Sequence, residues 1–171
     1  MALCHEASLA YSFSPMRPRI PPPLIALLAG LAMAGLHRYW PLAQCLRGGL
    51  RSAGILLMLL GAAPMLLAVW RFRAAATTMN PMDPAKATAL VQSGVFRYTR
   101  NPMYLGLALL LSGWAWWLGS ATPWLVLPPF IAAITWLQIL PEEGALQALF
   151  GDAYADYRRR VPRWLGWPAR G

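Results

Sequence analysis

From Asn101 to Pro141 the chain carries no charged residue, and this run constrains the fold more than any other feature. A membrane-spanning helix needs about twenty apolar residues at a rise of 1.5 Å each. The run is therefore too long for one crossing and right for two. Gly119-Ser120-Ala121-Thr122-Pro123 near its middle has the composition of a turn. The spacing predicts an antiparallel hairpin with legs Met103 to Leu118 and Trp124 to Leu140, which returns the chain to the face it left.

The rest of the sequence fits a membrane setting. Hydrophobic residues make up 58% and charged residues 12%, against about a quarter charged in soluble domains, so the apolar surface exceeds what water tolerates. Ile20 to Leu36 and Ser52 to Trp70 are further uncharged runs, with Pro64 a kink that a lipid-embedded helix accommodates. Arg17 and Arg19 before the apolar segment resemble a signal peptide, but the leading stretch is long and contains Glu6, so a retained first helix is the expectation. Together these features predict an all-α membrane bundle of about four spans, at 20–36, 52–70, 103–118 and 124–140. A loose arm over 1–19 precedes a single domain over 20–171.

Cations set the expected orientation. In this arrangement twelve Lys and Arg fall on the side holding both termini and the 71–100 loop, and three on the other. The positive-inside rule then makes the termini cytoplasmic, as in a bacterial inner membrane. Trp114, Trp116, Trp117 and Trp124 around the hairpin turn suit an interfacial belt at the opposite face. The 71–100 loop is the most polar stretch, with turns expected at Asn80-Pro81 and Asp83-Pro84. Beyond Pro141, Leu146, Leu149, Phe150, Ala153, Tyr154, Tyr157 and Val161 recur at helical spacing opposite Arg158, Arg159 and Arg160. This predicts an amphipathic surface helix over 142–160, interrupted near Gly151, lying on an anionic leaflet.

A hairpin with equal legs makes Arg100-Asn101-Pro102-Met103-Tyr104 a neighbour of Glu142-Glu143. Both motifs have a purely structural reading, since Asn101 and Pro102 suit a helix start and the acids mark the end of the apolar segment. They also have a chemical one. A helix N-terminus receives carboxylates, acids receive ammonium or ribose hydroxyls, and Phe96, Tyr98 and Tyr104 offer faces to a nucleobase. Gly94 and Gly106 allow close backbone approach. Cys4 and Cys45 fit no metal or disulfide framework, His5 and His37 stand apart from both motifs, and no metal site is expected.

The run Leu90 to Gly106, followed by Glu142-Glu143, Leu146, Phe150-Gly151, Tyr154, Tyr157 and Val161-Pro162, resembles the isoprenylcysteine carboxyl methyltransferase-like membrane methyltransferases. Related phospholipid methyltransferases share the plan, and the resemblance covers about Thr77 to Trp164. It implies a cytosol-facing pocket for S-adenosylmethionine, with a lipophilic acceptor entering from the bilayer. Asn101 and Tyr104 match the family's cofactor-contacting pair and Glu142 its cofactor-contacting acid. The chain departs from the family's patterns at Asn101, where eukaryotic members have His, and at Gln138 and Pro141, where an Arg is common. A neutral Gln138 cannot pair bidentately with a carboxylate, which argues against a prenylcysteine acceptor.

Methyl transfer from a sulfonium needs alignment and exclusion of water more than a catalytic triad. Glu143 or Tyr104 is a candidate base for an amine or thiol acceptor, and Arg100 a candidate partner for the cofactor carboxylate or an acidic acceptor. The competing readings are a non-enzymatic membrane scaffold and a sterol-reductase-like enzyme using NADPH. Nucleic acid is not an expected partner, because most cations flank spans. The acceptor's identity and the oligomeric state are not legible in the sequence.

Overall fold

The computed structural model describes residues 20–43, 51–74 and 89–167. The expected arm over 1–19, both cysteines, and the turns at Asn80-Pro81 and Asp83-Pro84 lie outside them. The described chain is all-helical. Helix α1 (Pro22–Tyr39) starts on two prolines, which cost nothing where no intrahelical N–H bond is needed, and ends with His37 and Arg38 in its last turn. Helix α2 (Arg51–Ala74) has 24 residues with Pro64 inside. Helix α3 (Pro102–Leu118) stops where Gly119 takes a left-handed conformation, φ 82°, a helix stop that glycine adopts without strain.

The return leg differs from the expectation. A 3₁₀ turn over Thr122–Val126, helix α4 (Leu127–Ile134), a π turn over Thr135–Ile139 and helix α5 (Leu140–Arg160) run together as one 39-residue helical segment. The expected fourth span and surface helix are thus continuous through Pro141. Proline lacks an N–H and its ring crowds the carbonyl four residues back. The π turn just before it, where the Leu140 N–H bonds to the Thr135 carbonyl, shifts the carbonyl register so that the helix continues. The interruption comes at Gly151, whose φ of 51° and ψ of −126° are non-helical.

Met33, Ala115, Ile134 and Ile139 are fully buried and form the centre of the core between α1, α3 and the return segment. Helix α3 packs most extensively on α2, through two glycine pairs one heptad apart. A Cβ at Gly61 would stand 2.9 Å from the Gly106 carbonyl oxygen, and one at Gly54 2.7 Å from that of Gly113. Small residues let the backbones touch, which drives helix association in lipid. The remaining faces are bare. Leu27, Leu28 and Leu31 on α1 and Leu56, Leu59 and Leu66 on α2 are more than half exposed. Two segments, α2 and the return segment, are long and apolar enough to cross a membrane, and only 17% of the most apolar part of α2 is buried. That low burial separates α2 from the core helix of a soluble domain.

Candidate active site

The site is assembled from three pieces of chain: the segment entering α3, the start of α5 and the strap after α5. Gly94 opens the first with φ +64°, a backbone conformation that favours glycine, and the Arg71 guanidinium lies over the position a Cβ would take. The 3₁₀ turn Gly94–Arg97 turns Phe96 inward, edge-on to Phe72 with ring centroids 5.2 Å apart. It leaves Tyr98 44% exposed, edge-on to Trp167.

Asn101 precedes α3 but its side chain does not cap the helix. Instead its Nδ2 donates to the Arg163 carbonyl at 3.0 Å, while its backbone N–H donates to Thr99 Oγ1 at 3.1 Å. The Arg100 N–H donates to the Pro162 carbonyl at 3.0 Å, and the buried Tyr157 hydroxyl donates to the Phe96 carbonyl at 2.8 Å. The strap and the last turns of α5 thereby satisfy the backbone of a loop that has no regular ladder of its own.

The two motifs meet. The Tyr104 hydroxyl donates to Glu142 Oε1. Glu143 is held by Arg163 through two parallel bonds, Nε to Oε1 at 2.9 Å and Nη2 to Oε2 at 2.8 Å, the planar fork that suits a carboxylate. Arg100 Nη1 stands 3.1 Å from Glu143 Oε1, with both side chains more than nine-tenths buried. Buried charges need partners of this kind.

Glu142, half-buried beyond the apolar part of the return segment, is pushed up to about 7 by burial, with the neighbouring Glu143 charge adding and the Tyr104 hydrogen bond opposing. Burial pushes the Tyr154 hydroxyl up to about 12, with Glu143 adding and Arg100 opposing. The Arg163 guanidinium is raised by its bond to Glu143.

These groups line a cavity of about 380 Å³, within the range of small-ligand sites. Arg100, Asn101, Tyr104, Glu142, Glu143 and Tyr154 form its polar end, while Pro22, Pro23, Met65, Phe72, Met103 and Leu107 form an apolar remainder. Of the residues singled out in the sequence, Phe96, Arg100, Asn101, Tyr104, Glu142 and Glu143 line it. Gly94, Tyr98 and Gly106 do not. Gly94 makes room for Arg71, Tyr98 faces outward, and Gly106 turns to α2, where a Cβ would meet Met65 Cγ at 2.3 Å.

Sequence reasoning missed Arg163 and the inward role of Tyr154 and Tyr157. The stripe Leu146, Phe150, Tyr154, Tyr157 and Val161, expected to rest on the leaflet, packs on itself and Leu90, with Leu146, Tyr154 and Tyr157 on the cavity wall.

Among the described residues, an all-helical fold with bare apolar helices, two segments of which are long and apolar enough to cross a membrane, defines the class of membrane-associated helical proteins. The sequence pattern of the phospholipid methyltransferase family matches residues 50–153, more than half of the chain, and the protein belongs to that family. It is similar to an uncharacterised protein of Haemophilus influenzae, 46% identical over 63 residues, 37% of this chain and the whole of that one. It is also similar to the protein-S-isoprenylcysteine O-methyltransferase of Schizosaccharomyces pombe, 33% identical over 73 residues, 43% of this chain and 31% of the yeast enzyme. No solved structure matches the chain.

Proposed function

We propose that this protein is a membrane methyltransferase that moves a methyl group from S-adenosylmethionine to a lipophilic acceptor held in the same cavity. The observation that carries this reading is the convergence of Arg100 and Tyr104 with Glu142 and Glu143 at one end of a hollow whose other walls are apolar. Family membership favours methyl transfer. In this reading the hairpin crosses the bilayer twice within a bundle of four spans, both termini face the cytosol of a bacterial cell, and the polar end of the cavity lies at the cytosolic surface.

The cavity's donors and acceptors fit the methyl donor. Arg100 Nε is buried without a hydrogen-bond acceptor, and such a donor suits the methyl donor's carboxylate. Glu142 and the tyrosine rings suit its ammonium and sulfonium charges, and Phe96 its nucleobase. When bound, S-adenosylmethionine supplies an activated methyl group whose leaving group is a neutral thioether.

The chain's own residues align the reactants and exclude water. Both Glu143 oxygens are engaged by guanidinium groups, which leaves neither of them free to face an acceptor. Glu142, raised toward neutrality, is the better proton acceptor for an amine or thiol acceptor, with the Tyr104 hydroxyl fixing the carboxylate's orientation. The apolar wall, Met65 and Leu107 included, receives the acceptor's hydrocarbon.

Purified protein incubated with methyl-labelled S-adenosylmethionine and a bacterial lipid extract is expected to yield a labelled lipophilic product by mass spectrometry. Protein that binds no S-adenosylhomocysteine in calorimetry and labels nothing would overturn the reading. Stabilisation by NADPH in place of the homocysteine would point to reductase chemistry instead.

A further inference from the structure

At the polar end the buried Glu143 carboxylate is shared between a buried guanidinium, Arg100, and a partly exposed one, Arg163. Arg100 and Arg163 bring two guanidinium groups to the single Glu143 carboxylate, while Glu142 is turned toward Tyr104. Arg163 occupies both Glu143 oxygens in a planar two-bond pair. Arg100 keeps one ion contact, Nη1 to Oε1 at 3.1 Å, and a side-chain hydrogen bond with Tyr154, while its buried Nε has no hydrogen-bond acceptor. A buried guanidinium with one donor unused on a cavity wall can take a further anionic acceptor.

A carboxylate that lies beside two guanidinium groups can form a two-bond pair with only one of them at a time. The chain favours Arg163 by anchoring the strap from which it extends. The Arg163 carbonyl accepts from Asn101 Nδ2 at 3.0 Å and from Thr99 Oγ1 at 3.4 Å, and the Pro162 carbonyl accepts from the Arg100 N–H. The strap therefore sets where the Arg163 guanidinium sits relative to the Arg100 backbone.

We propose that Arg163 is a positioning residue: by holding Glu143 in a two-bond pair it limits Arg100 to a single contact with that carboxylate and leaves the Nε side of its guanidinium open as the receptor for the carboxylate of the methyl donor. The assignment rests on the methyltransferase reading and adds to it a residue that touches neither donor nor acceptor. In Arg163→Ala the freed Glu143 swings onto Arg100, closes a two-bond pair and cancels the receptor's charge. Adding Glu143→Gln to that variant reopens the receptor, because a neutral amide does not cancel a guanidinium.

The test compares two ligands on purified full-length protein by calorimetry. One is S-adenosylhomocysteine, and the other is S-adenosyl-3-thiopropylamine, which lacks only the carboxylate. Wild type is expected to favour the first by about tenfold or more, the usual scale of a charge-assisted bond. Arg163→Ala brings the ratio close to one with little change for the decarboxylated ligand. Arg163→Lys, charged but without the fork, falls between, and Arg163→Ala with Glu143→Gln recovers the preference.

A merely structural role would weaken both ligands alike and leave the ratio intact, and that result overturns the assignment while the methyltransferase reading stands. Failure of wild type to bind either ligand overturns the methyltransferase reading and this assignment with it.

Discussion

Two adjacent glutamates, one half-buried and one buried, have been given opposite environments. Glu143 faces two guanidinium groups, whereas Glu142 faces a tyrosine hydroxyl and is raised to about 7. An acid raised in the folded state keeps a proton that the unfolded chain has already lost. The stability it contributes is full below its ordinary value of 4.5 and declines as pH climbs through about 7. Thermal midpoints measured across that window are expected to fall by a few degrees with rising pH in wild type and to be flatter in Glu142→Gln. The Tyr104 hydrogen bond holds the carboxyl lower than burial alone would. Tyr104→Phe is therefore expected to move the acid limb of a pH–rate profile, read as methyl label incorporated into lipid, toward higher pH and to reduce the rate about tenfold or more. An unshifted limb would remove Glu142 from proton transfer.

Glycine governs the elements. Gly61 and Gly106 face each other across α2 and α3 so closely that a larger side chain must separate the helices. Gly106→Leu is expected to cost about 1–3 kcal/mol by overpacking and to lower the thermal midpoint in detergent. Leu59→Ala, on the bare face of α2, should leave it nearly unchanged. At Gly151 nothing stands near the position of a Cβ, yet φ is +51°, so Gly151→Ala tests backbone strain without steric clash. A loss of about 1–3 kcal/mol is expected, read as a lower midpoint. An equal midpoint would mean that the bend relaxes into continuous helix.

Across the whole molecule, the site exists because one end of α3 and the start of α5 come to the same place. If the hairpin crosses the bilayer twice, Arg97→Cys and Asp152→Cys, both at exposed positions, should label from one side of the membrane. Ala121→Cys, exposed in the turn, should label from the other. With Cys4 and Cys45 replaced by Ser, impermeant maleimide on intact cells and on inverted vesicles reads this directly. Labelling of all three from one side would end the two-crossing arrangement.

The uncharged run from Asn101 to Pro141 with its glycine-bearing turn was enough, from sequence alone, to predict that Arg100 and Tyr104 would meet Glu142 and Glu143, because hydropathy and helix rise fix where a chain can reverse in lipid. The passage of the return helix through Pro141 was not legible, since it depends on a π turn whose register no local propensity reveals. Nor was the turning of Gly106 toward α2 rather than toward the cavity, which only the mutual rotation of two apolar helices decides. Arg163 stayed hidden for the same reason. One arginine in a basic tail looks like any other until the strap places it beside Glu143, because a long-range ion pair is a property of the assembled backbone and leaves no periodicity in the chain.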